Sequence, residues 1–245
     1  MLRDYQIEMK TRLMEAWKAH RSVMVQMPTG TGKTHLLASV VSEFVSSAGS
    51  GVWLIAHRRE LVAQMEETLA KYGIRREDTP VRVMSVQWLS RHWNEAGDAP
   101  GLIVIDEAHH ALAASYTEMW KRYPATKKLG VTATPCRLNR RGFTELFEVL
   151  VTSWSIAEFI EKGVLSVFDY VSIRPGSEEQ RLIDGLEKRG ADGDYQVKEM
   201  DAVLNRRPGI ERLYRSVRQF ASGKKGMVYA ISIEHARRIA EDYSR

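Results

Sequence analysis

Five short apolar runs punctuate the first half of the chain: SVMVQM (22–27), GVWLIA (51–56), VRVMSV (81–86), GLIVID (101–106) and KLGVTA (128–133). Each has the length of a strand, and most are apolar throughout, the pattern of strands covered on both faces. Amphipathic stretches with helical spacing separate them at Lys33–Ser47, Arg59–Tyr72 and Ala111–Tyr123. Strands alternating with helices predict βαβ units, hence an α/β fold with a mainly parallel central sheet between two helical layers. Crossovers are then right-handed, and ligands sit at the carboxyl ends of the strands.

The character changes after Leu150. SIAE (155–158) is a capping-box pattern that opens a helix to about Lys162, with Gly163 as its stop. VFDYVSI (167–173) alternates like a strand, and the charged, glycine-bearing region Pro175–Asp194 reads as an exposed loop. From Arg207 a helix runs to about Ser222, followed by an expected strand GMVYAI (226–231) and a helix Glu234–Tyr243. The expected organisation is an α/β domain over 1–152, a linker or insertion over 153–205, and the incomplete start of a second α/β domain over 206–245.

Bulk composition narrows the class. Lys and Arg number 36 against 31 Asp and Glu, a formal charge of +5, which suits a polyanionic partner and equally a solubilising surface. The single cysteine, Cys136, excludes an internal disulfide framework and fits a reducing compartment. No apolar run approaches the ~20 residues of a membrane span. The opening MLRDYQIEMK has no apolar h-region, so a cytoplasmic protein is expected.

Two motifs carry chemistry. MPTGTGKT (27–34) lies directly after an expected strand and before an expected helix, the setting of a phosphate-binding loop. Thr29, Gly30, Thr31 and Gly32 let the backbone curl so that N–H groups face phosphate oxygens, and the helix N-terminus adds partial positive charge. Lys33 neutralises the β- and γ-phosphates of ATP and Thr34 ligates Mg²⁺, although Met27 stands where the usual pattern has its first glycine. LIVIDEAHH (102–110) delivers Asp106 and Glu107 to the same edge of the sheet. Asp106 is the expected Mg²⁺ partner and Glu107 the residue that polarises the attacking water; capping of the next helix is the simpler alternative.

MPTGTGKT and DEAH resemble motifs I and II of the superfamily 2 helicases and translocases, the DEAD/DEAH-box class with RecA-like domains, whose members commonly lack that first glycine. LRDYQ (2–6), IAHRREL (55–61), SVQWLS (85–90) and VTATP (131–135) resemble the Q-type motif and motifs Ia, Ib and III, in the family's order. The combination is most similar to the group of type III restriction-enzyme Res subunits and RadD-like repair ATPases. The resemblance implies that Gln6 reads the adenine edge, and that His57, Arg58, Arg59, Ser85 and Gln87 meet a nucleic-acid backbone. It further implies that Thr132 and Thr134, joined by His109, couple the nucleotide to that grip. Read on their own, Arg58 and Arg59 fit a phosphate contact or a solvated helix start, and Trp88 fits the core better than a base-stacking platform. His110 reads as a helix-face residue, Cys136 as a packing residue, and Arg137, Arg140 and Arg141 as either a nucleic-acid edge or a solvated loop.

A complete enzyme of this class carries a second RecA-like domain with an arginine finger in a QxxGRxGR-like motif, and no such motif occurs in the sequence. The stretch 224–245 resembles that domain's first strand and helix, with motif IV around Ser232. The expectation is a fragment of a longer protein, ATP-binding but weakly hydrolytic. The function expected is an ATP-dependent helicase or translocase with nucleic acid, DNA rather than RNA, as partner. A P-loop phosphotransferase acting on a small molecule and a non-catalytic ATP-dependent binding module are the competing readings.

Overall fold

The computed structural model describes residues 2–57, 60–75, 77–110, 114–135, 144–172, 176–190 and 194–244. The chain divides into two compact units, Met1–Val167 and Phe168–Arg245. Arg58, Arg59, Cys136, Arg137, Arg140 and Arg141 lie outside the described residues.

The first unit holds six strands: β1 (Ser22–Gln26), β2 (Val52–Ala56), β3 (Val81–Ser85), β4 (Leu102–Asp106), β5 (Lys127–Thr132) and β6 (Val149–Thr152). They form one sheet in the order β3-β2-β4-β5-β1-β6, every pair parallel. Around it lie α1 (Asp4–Ala19), α2 (Lys33–Ala48), α3 (Glu60–Ala70), α4 (Val86–Arg91), α5 (Ala114–Arg122) and α6 (Ile156–Glu161). The five expected strands and their helices form as the patterning predicts; β6, after a stretch that includes undescribed residues, is an addition at the sheet's edge.

Both faces of the sheet are buried, which explains the apolar runs. Val23, Val25, Val52, Leu54, Leu102, Val104, Leu129 and Val131 face one core with α1, α2, α3 and Phe159 of α6. Their neighbours Met24, Trp53, Ile55, Ile103 and Ile105 face the other, against Val86 and Leu89 of α4 and Tyr116 and Met119 of α5. The period of two along each strand separates these sets. At Gly130 the layers are too close for a side chain: a Cβ there would lie 2.7 Å from Ala108 Cβ and 2.4 Å from the Phe147 ring.

Ser155 caps α6 with its hydroxyl accepting from Glu158 N–H, and the Glu158 carboxylate accepts from Ser155 N–H at 2.7 Å, the expected capping box. Gly163 follows at φ +67°, a left-handed stop. The second unit contains α7 (Ser177–Asp184), α8 (Val197–Leu204), α9 (Arg207–Ala221) and α10 (Ile233–Tyr243). Ser232 caps α10 and donates its hydroxyl to Asp201 at 2.5 Å, and Tyr214 packs on Tyr243 at 5.0 Å.

Three expectations are corrected in and beside this unit. The described part of 167–173 and the run 226–231 form no strand, and 177–184, expected as loop, is helical. Val167, Phe168 and Tyr170 are exposed, as are Met227 and Tyr229. Alternation makes a strand only where a neighbouring strand takes the backbone bonds, and the described residues offer neither run one.

Lys128, at the amino-terminal end of β5, is buried, its Nζ donating to Tyr123 O at 2.6 Å and Thr126 O at 2.9 Å. Burial lowers its pKa to about 8 from 10.5. Between those values the unfolded chain holds a proton that the folded one has released, so folding stability rises with pH across that window. Denaturant midpoints at pH 7.5 and 9.5 should show wild type gaining about 1 kcal/mol relative to Lys128→Met. An unchanged difference between the two proteins would contradict a buried, proton-releasing lysine.

Candidate functional site

Because the strands run parallel, the last residues of β1, β4 and β5 share one edge. Gln26 pairs with Thr132, and Asp106 with Val131, so the loop after β1 and the acidic pair after β4 flank the end of β5. Met27 N–H donates to Thr132 O at 3.0 Å, carrying the ladder one residue into the loop. The Met27 side chain is fully buried in the core. It anchors the loop where a glycine would have packed nothing.

The loop is shaped by its glycines. Gly30 and Gly32 sit at φ +86° and +78°, in the left-handed region that disfavours any side chain. Gly30 is also sterically confined, a Cβ there lying 3.2 Å from Leu165. Thr31 is fully buried, and its hydroxyl donates to Pro28 O at 2.7 Å, closing the turn. Gly32 is the N-cap of α2, with no capping side chain and no acidic residue in the first turn. The N–H groups of α2 ahead of His35, whose own N–H donates to Gly32 O at 3.1 Å, are thus left for an anion. Lys33 forms no hydrogen bond or ion pair with the described residues, but its charge reaches Asp106.

A cleft of about 870 Å³ opens here, lined by Thr29 to His35, Asp106 and Glu107, and on its remaining sides by Arg3, Tyr5, Gln6, Lys71 and Tyr72. The structure therefore brings every expected loop residue together with the acidic pair. The free glycine-turned loop, unpaired lysine, hydroxyl of Thr34 and carboxylate of Asp106 are the donor set that a nucleoside triphosphate with Mg²⁺ needs. Burial first, then the Glu107 carboxylate, pushes the Asp106 carboxyl above its usual range, against the opposing Glu107 N–H bond and Lys33 charge. Glu107 stands at φ +50°, the only non-glycine residue with positive φ among those described. Such a backbone costs of order 1 kcal/mol or more and clusters at functional sites.

Gln6 is buried and engaged with the loop. Its amide donates to Thr31 O at 3.0 Å and Gly32 O at 3.3 Å, while its carbonyl accepts from Arg3 N–H at 2.9 Å. Both of its N–H donors are in use, so in this conformation only one acceptor lone pair remains for a base edge.

His109, in a short 3-10 turn at Ala108–His110, has its Nδ1 2.9 Å from Thr132 Oγ1 and 3.4 Å from Glu107 Oε2. Thr132 donates its one hydroxyl proton to Thr134 O and accepts from Thr134 N–H. The Thr132 hydroxyl thus joins His109 to Thr134. Glu107, His109, Thr132 and Thr134 form one connected chain.

The expected nucleic-acid contacts are placed less uniformly. Ser85 is buried and its hydroxyl caps α4 by accepting from Trp88 N–H. Gln87 is exposed and donates to His57 O at 2.8 Å, tying α4 to the end of β2. Trp88 corrects the reading of a core residue: it is 38% exposed and stacks on His92 at 4.8 Å. On so short a helix, Val86 and Leu89 already fill the inner face. His35, Lys71 and Tyr72 line the cleft but lie in none of the motifs; only the folded chain brings them there.

The sequence profile of the family described as the type III restriction enzyme, res subunit, matches residues 1–137. The 51.5 kDa protein of a Lactococcus phage (isolate 7-9) is 26% identical over 222 residues, covering 90% of this chain and 46% of the relative. The DNA 3'-5' translocase XPB2 of Sulfurisphaera tokodaii is 28% identical over 205 residues, covering 77% and 44%. The chain thus spans less than half the length of these curated relatives. The crystal structure of the UvsW helicase from bacteriophage T4 is similar at a TM-score of 0.52 and 17% identity, over 61% of this chain and 59% of that one, a likeness of fold. No helix among the described residues is long and apolar enough to cross a membrane.

The raised Asp106 pKa means the folded protein binds the proton more tightly than the unfolded chain, a contribution lost as pH rises through the folded pKa. At pH 8 the ionised carboxylate is therefore a burden on the nucleotide-free fold. Asp106→Asn should raise the melting temperature of the protein in the absence of Mg²⁺ and nucleotide at that pH. Equal or lower melting temperature would show that the carboxylate is already compensated.

Proposed function

Because the chain belongs to the family of type III restriction enzyme res subunits, we propose that it is the ATP-binding part of a helicase or translocase motor acting on DNA. The observation that carries this reading is the single cleft holding the loop Thr29–Thr34 together with Asp106 and Glu107. A phosphate cradle and an acidic pair at one sheet edge suit cleavage of a phosphoanhydride, which requires positioning and charge stabilisation above all.

In this reading the N–H groups of the glycine-turned loop and the start of α2 hold the phosphates, and Lys33 neutralises the β- and γ-groups. Thr34 and Asp106 would hold Mg²⁺, which would supply positive charge against the negative charge of the phosphate oxygens. Glu107 orients the attacking water and takes its proton. His109 links Glu107 to Thr132, the last residue of β5, and through it to Thr134. His57 at the end of β2 and Gln87 on α4 offer a backbone-level, sequence-independent grip on nucleic acid. The Sulfurisphaera relative, a DNA 3'-5' translocase, favours DNA as the track. The 245-residue chain by itself is proposed to bind ATP and to turn it over slowly, since a facing arginine contributes about 10³–10⁵ in such motors.

Glu107→Gln should leave ATP affinity within about twofold and lower turnover at least 10²-fold, measured by nucleotide titration and phosphate release. Turnover at the wild-type rate would remove Glu107 from the assigned role. Duplex and single-stranded DNA affinity should fall steeply between 50 and 200 mM salt, with log affinity linear in log salt. Binding that ignores salt, or that RNA alone supports, would count against a DNA-backbone motor.

A further inference from the structure

The cleft contains a feature that the phosphate chemistry leaves unused. Three of its lining residues are aromatic: Tyr5, His35 and Tyr72. Tyr5 is committed elsewhere. It is buried, its hydroxyl donates to Thr31 O at 2.9 Å, and its ring lies among Trp154 and Phe159 at 5.6 and 5.0 Å. Gln6 has both N–H donors on loop carbonyls. Neither group therefore offers a free face to a base in this conformation.

His35 and Tyr72 are different. His35 is exposed, directly follows Thr34 and sits beside the loop: a Cβ on Gly32 would come within 3.7 Å of its Cδ2. Tyr72 follows the carboxyl end of α3, is half-buried, and packs partly on the core that includes Leu69 and Ile74. Its turn is held by Tyr72 N–H and Ile74 N–H, both donating to Leu69 O, with Gly73 at φ +75°. The two rings are joined by a 3.0 Å hydrogen bond between His35 Nδ1 and the Tyr72 hydroxyl, centroids 5.9 Å apart. The hydrogen bond links the two rings, tilted 51° to one another, so a joined aromatic pair stands in the cleft. Lys71, beside it, is held by Glu67 at 3.1 Å.

Asp106 and Glu107 mark by their chemistry where the terminal phosphates react. The base of a bound nucleoside triphosphate must then lie along the lining that carries no phosphate chemistry. Flat bases are bound by stacking on ring faces, a sequence-tolerant interaction. We propose that the His35–Tyr72 pair is the wall on which the nucleobase of the bound triphosphate rests. This rests on the nucleotide reading of the cleft and assigns its base-binding residues.

The test compares wild type, Tyr72→Ala, Tyr72→Phe and His35→Ala by calorimetric titration with Mg²⁺–ATP and with Mg²⁺–tripolyphosphate, which keeps the phosphates and lacks the base. Tyr72→Ala should weaken ATP about tenfold and His35→Ala about threefold, with Tyr72→Phe within about twofold of wild type. Tripolyphosphate affinity should stay within about twofold throughout. His35 is exposed, so His35→Ala reads the wall even if Tyr72→Ala loosens the end of α3. Unchanged ATP affinity in both alanine variants overturns the proposal. An equal loss for ATP and tripolyphosphate does so too, since the pair would then only shape the loop. If wild type binds tripolyphosphate as well as it binds ATP, the base has no wall and this inference alone falls. If wild type binds neither, the nucleotide reading fails and takes the inference with it.

Discussion

The parallel pairing of β1 with β5 and of β5 with β4 is the constraint on which the rest depends. It brings three strand ends to one edge, with Gln26 opposite Thr132 and Asp106 opposite Val131. A slip of one residue in either pair would turn every side chain of a strand to the other face. The two buried cores forbid this. Val23 and Val25 on one side and Met24 on the other are each enclosed. The register of the phosphate loop relative to the acidic pair is therefore fixed by apolar packing well away from the cleft.

On that fixed edge the polar groups divide into two sets. The loop, held by Thr31, Tyr5 and Gln6 through its carbonyls, keeps Lys33 available. The acidic side keeps tension instead: a half-buried Asp106 beside Glu107, and a backbone at Glu107 in the left-handed region. Both cost stability in the fold, and a cation beside the carboxylates would relieve the first. His109 links this side to Thr132, whose carbonyl in turn receives Met27 N–H at the start of the loop. The two halves of the cleft thus meet through the end of β5.

Much of this was legible in the residues. The five central strands announce themselves because two-sided burial demands uninterrupted apolar runs, and MPTGTGKT and LIVIDEA fall at their ends. Met27 resolves simply: the position is core, and the necessary turns are made by Gly30 and Gly32. Less legible was anything set by tertiary neighbours. VFDYV and GMVYAI carry strand-like alternation, but alternation cannot supply the partner strand that turns an extended segment into a sheet. The exposure of Trp88 is hidden because a six-residue helix has too short a period from which to read its face. His35 and Tyr72 are far apart in sequence and belong to no motif, and only the packing of α2 against α3 makes them neighbours.

The claim at the centre is that one edge of the sheet binds a triphosphate through Lys33 with Mg²⁺ shared between Thr34 and Asp106. The most direct measurement is an equilibrium titration of wild type and Lys33→Ala with a fluorescent ATP analogue, with and without Mg²⁺. Wild type should bind the analogue with a marked gain from Mg²⁺, and Lys33→Ala should lose most of that affinity while keeping the wild-type melting profile. Binding that is indifferent to both Mg²⁺ and the lysine would contradict the assignment.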